Sequence, residues 1–141
     1  SDENGHLAGS AWLFGGRDGE PMAAFLGDGP DDRFGISVAG VGDVDGDGVP
    51  DLAMGAHQPD LPLPGYLRVV SGATHAELLL LLGAAPGYQF GNAAAGLGDL
   101  DGDGRAEIAV GAWADGTKGV WTGSIAVFAT EPWLAEAASG R

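Results

Sequence analysis

Apolar residues in this chain fall in short runs with glycine at or near one end: SAWLFGG from Ser10, MAAFLG from Met22, DLAMGA from Asp51, YLRVVSG from Tyr66, LLLLLG from Leu78, EIAVGA from Glu107 and, after Gly123, SIAVFAT from Ser124. Runs this short, punctuated by Gly, Pro, Asp and Ser, predict β-strands joined by tight turns. A helix is the rival reading for five consecutive leucines, but glycines lie on either side of Leu78–Leu82 and favour a strand. Its poor alternation predicts a strand covered on both faces, since a sheet wetted on one face alternates apolar with polar.

Sliding the chain against itself by 56 positions aligns residues 9–55 with 65–111 without a gap. The best match sets FGISVAGVGDVDGDGVPDLAMGA, from Phe34, over FGNAAAGLGDLDGDGRAEIAVGA, from Phe90. A second match sets GSAWLFGG over GYLRVVSG and, shifted by two residues, GSIAVFAT from Gly123. Each unit thus offers four strands. Strand A follows Phe-Gly, B ends in Gly-Ala, C follows the next glycine, and D precedes the next Phe-Gly. Four-stranded antiparallel sheets covered on both faces are the blades of a β-propeller, and a fixed period of this size is the mark of a repeat architecture. The expected fold is therefore all-β, one propeller segment over residues 1–141. Residues 1–33 are a partial blade of strands C and D, 34–89 the first full repeat and 90–141 the second.

Between strands A and B each unit carries D-x-D-x-D-G-x-x-D/E. In the first loop Asp43, Asp45 and Asp47 stand at positions 1, 3 and 5, Gly48 at 6, the Val49 carbonyl at 7 and Asp51 at 9. In the second the equivalents are Asp99, Asp101, Asp103, Gly104, the Arg105 carbonyl and Glu107. Ca²⁺ takes six to eight oxygens at roughly 2.3–2.6 Å, and alternate carboxylates on a sharply turning loop supply them. An EF-hand would continue with glutamate at position 12, but Met54 and Val110 stand there, inside apolar strands. Each loop instead reads as a strand-to-strand clasp, which predicts two Ca²⁺ per chain. Turn chemistry alone is the rival, because Asp and Gly are common in hairpins. Four carboxylates drawn together twice in one register would repel without a cation. Mg²⁺ suits fewer carboxylates, and Zn²⁺ lacks His or Cys in either loop.

Of 141 residues 27 are glycine and 8 proline, and 20 acids face 6 bases for a formal charge of −14, so neither nucleic acid nor an anionic membrane surface is an expected partner. Cysteine is absent, which removes thiolate metal sites and disulfides from consideration. Leu78–Leu82 is far too short to span a bilayer, so no membrane insertion is expected. The opening SDENGHLA has none of the basic and apolar segments of a signal peptide.

Phe34-Gly35 with Gly55-Ala56, and Phe90-Gly91 with Gly111-Ala112, bracketing the aspartate loops, resemble the FG-GAP repeat of integrin α-subunit β-propellers and related bacterial surface proteins. The resemblance implies calcium-bound blades of an adhesion or ligand-binding protein, extracellular or at the cell surface or in the periplasm, and seldom a catalytic centre. The chain departs from that family in length. It offers about two and a half blades, where a closed propeller needs roughly four to eight. The expected partner is therefore itself, as a homo-oligomeric ring of two to four chains burying Leu78–Leu82 and the Trp12 strand, or the remaining blades of a longer chain.

In an antiparallel blade the A–B and C–D turns share one end and the B–C and D–A loops the other. A glycan or protein ligand is expected at the second end, with His57, Tyr88, Trp113, Lys118 and Trp121 as the residues to try first. Covering a blade edge is the blander role for such tryptophans. His6, His57 and His75 stand in unrelated loops, and neither G-x-S-x-G nor H-E-x-x-H occurs, so no catalytic residue is expected. The leading reading is a noncatalytic calcium-binding adhesion module. The alternatives are a self-assembling structural unit and the propeller portion of a secreted enzyme acting on polysaccharide or lipid. The tail EPWLAEAASGR suits a short strand or helix equally.

Overall fold

The computed structural model describes residues 6–58, 62–116 and 118–130, and the expectations for the tail after Thr130 lie outside them. Among the described residues nine strands form three antiparallel sheets. The first is a hairpin of β1 (Ser10–Phe14) and β2 (Pro21–Leu26). The second runs in chain order through β3 (Ser37–Gly42), β4 (Asp51–Ala56), β5 (Tyr66–Val70) and β6 (Glu77–Leu82). The third holds β7 (Phe90–Gly98), β8 (Glu107–Ala112) and β9 (Ser124–Phe128). The expected A–B–C–D order is thus realised in full once, with C and D before it and A, B and C after it. Among the described residues no helix is long and apolar enough to cross a membrane.

The central sheet is packed on both sides because its strands present apolar groups alternately to each. Ala53, Leu67, Val69, Leu79 and Leu81 join Ile108, Val110 and Ala112 of β8 in one core, with Phe90 and Phe128 edge to face at 6.1 Å. Met54, Ala56, Tyr66 and Val70 point the other way, onto Phe34, Ala11 and Phe25. Strand β6 departs from the expected burial on both faces. Leu79 and Leu81 are buried, whereas Leu80 and Leu82 are exposed, because the two-stranded hairpin leaves the rim of that face uncovered. Trp12, Phe14 and Met22 are also exposed at one end of the stack, and Ile125 and Val127 at the other.

Two glycines fix how adjacent blades meet. Gly91 has φ +84°, and a Cβ there would overlap the Tyr66 carbonyl. A Cβ on Gly55 would overlap the Gly91 carbonyl. The Gly-Ala of one repeat therefore docks on the Phe-Gly of the next, with Ser37 Oγ donating to the Gly91 carbonyl at 2.7 Å. Phe34 and Phe90, each beside such a glycine, are buried.

Candidate metal centres

A bulge precedes each aspartate loop. The β3–β4 register slips between Gly40 and Gly42, and the β7–β8 register between Gly96 and Gly98, so that Gly42 pairs with Asp51 and Gly98 with Glu107. Bulges sharpen twist and re-aim the chain beyond them. Here they bring position 1 of each loop, just after the first strand, beside position 9 on the second. Carboxylate oxygens of Asp43, Asp45 and Asp51 lie within 4.8 Å of one another, and those of Asp99, Asp101 and Glu107 do the same.

Backbone amides organise both loops alike. Asp43 Oδ1 accepts from Gly46 N at 2.7 Å and Asp47 N at 3.0 Å, and its Oδ2 from Gly48 N at 2.8 Å. Asp99 repeats the pattern with Gly102, Asp103 and Gly104 at 2.7, 3.1 and 2.9 Å. Asp47 and Asp103 stand apart from the clusters of three. Their Oδ1 atoms accept the amides of Val49 and Arg105, at 2.7 and 2.8 Å, and so shape the turn.

The acids at position 9 are the buried ones. Asp51, fully enclosed, accepts Val44 N at 2.7 Å and, from the C–D turn, Gly72 N at 2.9 Å. Glu107, 3% exposed, accepts Leu100 N through Oε2, while its Oε1 is buried with no hydrogen-bond partner. A buried carboxylate oxygen left unpaired costs several kcal/mol unless a cation or donor meets it. The Asp45 carboxyl is held above its ordinary value, first by partial burial and then, against the Asp47 amide that favours its charge, by the charges of Asp51, Asp47 and Asp43. Both observations fit a divalent cation held by hard oxygens, with Asp43, Asp45 and Asp51 around one and Asp99, Asp101 and Glu107 around the other.

The opposite end gathers the B–C and D–A loops as expected. Ala114 N donates to the Tyr88 carbonyl at 3.3 Å. Tyr66 Oη and Gln58 Nε2 both donate to the buried Asp32, and burial, then that bond, pushes the Tyr66 hydroxyl far above its usual range, keeping it a neutral donor. Arg68 lies 4.9 Å from the Phe34 ring centre and pairs with Asp28 at 2.7 Å and Glu77 at 3.1 Å. The bonds of Asp32 to Gln58 and Tyr66 and of Asp28 to Arg68 escape sequence reading because their partners are 26 to 40 residues apart. Among the residues expected to meet a ligand, His57 is buried in this end of the fold, Tyr88 is half-buried and Lys118 is exposed. Trp113 and Trp121 are exposed and tilted against each other at 4.9 Å, with Trp113 Nε1 donating to Gln89 Oε1 at 2.6 Å.

A family model for the FG-GAP repeat matches residues 34–73 and 90–128, more than half the chain. The chain belongs to the FG-GAP repeat family. Both matches open on a Phe-Gly pair and enclose an aspartate loop, so the second and third sheets are FG-GAP blades, and the three sheets together form part of an unclosed propeller. Among curated relatives, integrin alpha pat-2 of Caenorhabditis briggsae is 35% identical over 105 residues, 69% of this chain and 9% of that protein. Integrin alpha-6 of Homo sapiens is 30% identical over 137 residues, 93% of this chain and 11% of its own length. Integrin alpha-4 of Xenopus laevis is 34% identical over 88 residues, 57% of this chain and 8% of that protein. The chain spans about a tenth of the length of the curated relatives it matches.

Proposed function

We propose that this chain is a noncatalytic adhesion or binding module, extracellular or at the cell surface, whose two aspartate loops each hold one structural Ca²⁺. The observation that carries the reading is the pair of carboxylate clusters in equivalent places, one of them containing a buried carboxylate oxygen with no protein partner. Several carboxylate donors around one point favour Ca²⁺ over the smaller, more rigidly octahedral Mg²⁺, which retains several waters. Similarity to integrin alpha chains supports the location and the adhesive role. A ligand would meet the end opposite the clusters, where Trp113 and Trp121 are exposed and where Asp31, Arg33, Gln58, Gln89 and Trp121 all take positive φ. Non-glycine residues held in that region store strain, a frequent property of binding loops.

A second reading rests on the exposed apolar ends. Trp12, Phe14 and Met22 on the first hairpin, and Ile125 and Val127 on the last sheet, would be covered by further blades, from another copy or from the rest of a longer chain. Melting the protein in Ca²⁺, in Mg²⁺ and in EDTA tests the main reading. Ca²⁺ at about 100 times its Kd adds roughly 2.7 kcal/mol per site, so Tm should rise by several degrees over EDTA and more than in Mg²⁺. Equal melting in all three would remove it.

A further inference from the structure

The two cation loops touch. Ala106 N donates to the Asp43 carbonyl at 2.8 Å, so the second loop is hydrogen-bonded to the backbone of position 1 of the first. The Arg105 side chain runs along Gly46, with its Nε 3.5 Å from where a Cβ on that glycine would lie. The Ala106 methyl packs so closely on Gly42, the residue before Asp43, that a Cβ there would come within 2.8 Å.

The N–H of Ala106 and the carbonyl of Arg105 belong to one peptide plane. That carbonyl is the position-7 oxygen of the second loop. From this shared plane we infer that the two calcium sites are thermodynamically coupled, the 105–106 peptide serving both at once. The inference rests on the calcium reading above. A cation drawing on the Arg105 carbonyl polarises the peptide and fixes its orientation. Its N–H becomes a stronger, better-aimed donor to the Asp43 carbonyl. The backbone that carries Asp43 is then held in the conformation that faces Asp45 and Asp51. Coupling of affinities is reciprocal, so filling either loop tightens the other.

The sequence carries a matching asymmetry. Pro50 takes the place in the first loop that Ala106 takes in the second, and proline has no N–H to offer. Among the described residues the bond runs from the second repeat back to the first, and Pro50 shows that an equivalent loop accommodates proline at this position. Ala106 thus acts as a positioning residue for a site it does not itself line.

A site-resolved Ca²⁺ titration of the full chain by amide NMR tests this, reading Gly46 and Gly48 for the first loop and Gly102 and Gly104 for the second. Asp101→Ala, which disables the second loop, should weaken the first by about three- to tenfold, the range one net hydrogen bond supplies. In an Ala106→Pro background the same substitution should weaken the first loop no further, closing a double-mutant cycle. An unchanged first-loop Kd in Asp101→Ala overturns the coupling while leaving two independent calcium sites intact, and it decides alone if Ala106→Pro does not fold. A wild-type chain in which neither loop responds to Ca²⁺ removes the calcium reading and the coupling with it.

Discussion

Val44 and Leu100 occupy the same place in two loops of one sequence pattern, yet Val44 is fully buried and Leu100 is 64% exposed. Val41 and Leu97, on the bulges, differ in the same way, at 0% and 38%. The first loop lies against the following repeat, which supplies Ala106, Arg105 and a hydrogen bond to Asp43. At position 9 the contrast lies within each blade: Asp51 has both oxygens bonded, one of them to Gly72 in the C–D turn of its own sheet, whereas Glu107 keeps one oxygen unpaired. A blade's cation loop is thus finished by its neighbours as well as by its own residues. The motif gathers the carboxylates, and the adjacent blade sets how firmly the loop is held.

Position 9 offers the largest test of that contrast. Asp51→Ala strands the buried Val44 amide and the half-buried Gly72 amide and should cost about 2–5 kcal/mol in urea unfolding of the EDTA-treated protein. Glu107→Ala strands only the Leu100 amide and removes an unpaired oxygen, so it should cost less than half as much in EDTA. Equal costs would mean that the two loops are equally closed. A smaller effect comes from the apolar residue at position 2. Val44→Ala opens a cavity beneath the first loop and should cost about 1–3 kcal/mol, while Leu100→Ala, at the surface, should stay within about 0.5 kcal/mol.

The smallest effect is electrostatic. Because Asp45 holds its proton above its ordinary value, it favours the metal-free fold below that value, and this contribution is lost as pH rises through the folded-state value. In EDTA, Asp45→Asn should therefore melt no lower than the wild type at neutral pH, and the two curves should converge once pH falls below about 3.9. A variant that is less stable at neutral pH would show that the carboxylate stabilises the metal-free loop.

The strands and the register of the metal loops were legible in the sequence because both obey local rules. Glycine-bounded apolar runs give strands, and alternate aspartates around Gly48 or Gly104 give a convergent loop. Position 9 was legible as well, since Asp51 and Glu107 interrupt the apolar start of a strand. The features that could not be read depend on contacts between repeats or on the turn itself. Asp47 and Asp103 keep the donor spacing and also accept the amides two residues on, bonds set by the turn. The exposure of Leu80 and Leu82 comes from how little of β6 the first hairpin covers. The Asp32–Tyr66–Gln58 network and the Ala106–Asp43 bond join residues that no spacing rule connects. His57 shows the same limit, because a histidine after a strand gives no sign of whether its ring faces solvent or packing.

Calcium in both loops is tested most directly by calorimetric titration of the chelator-stripped chain. Two Ca²⁺ per chain should bind, with Mg²⁺ weaker at both. A stoichiometry of zero, or equal affinity for Mg²⁺, would contradict it.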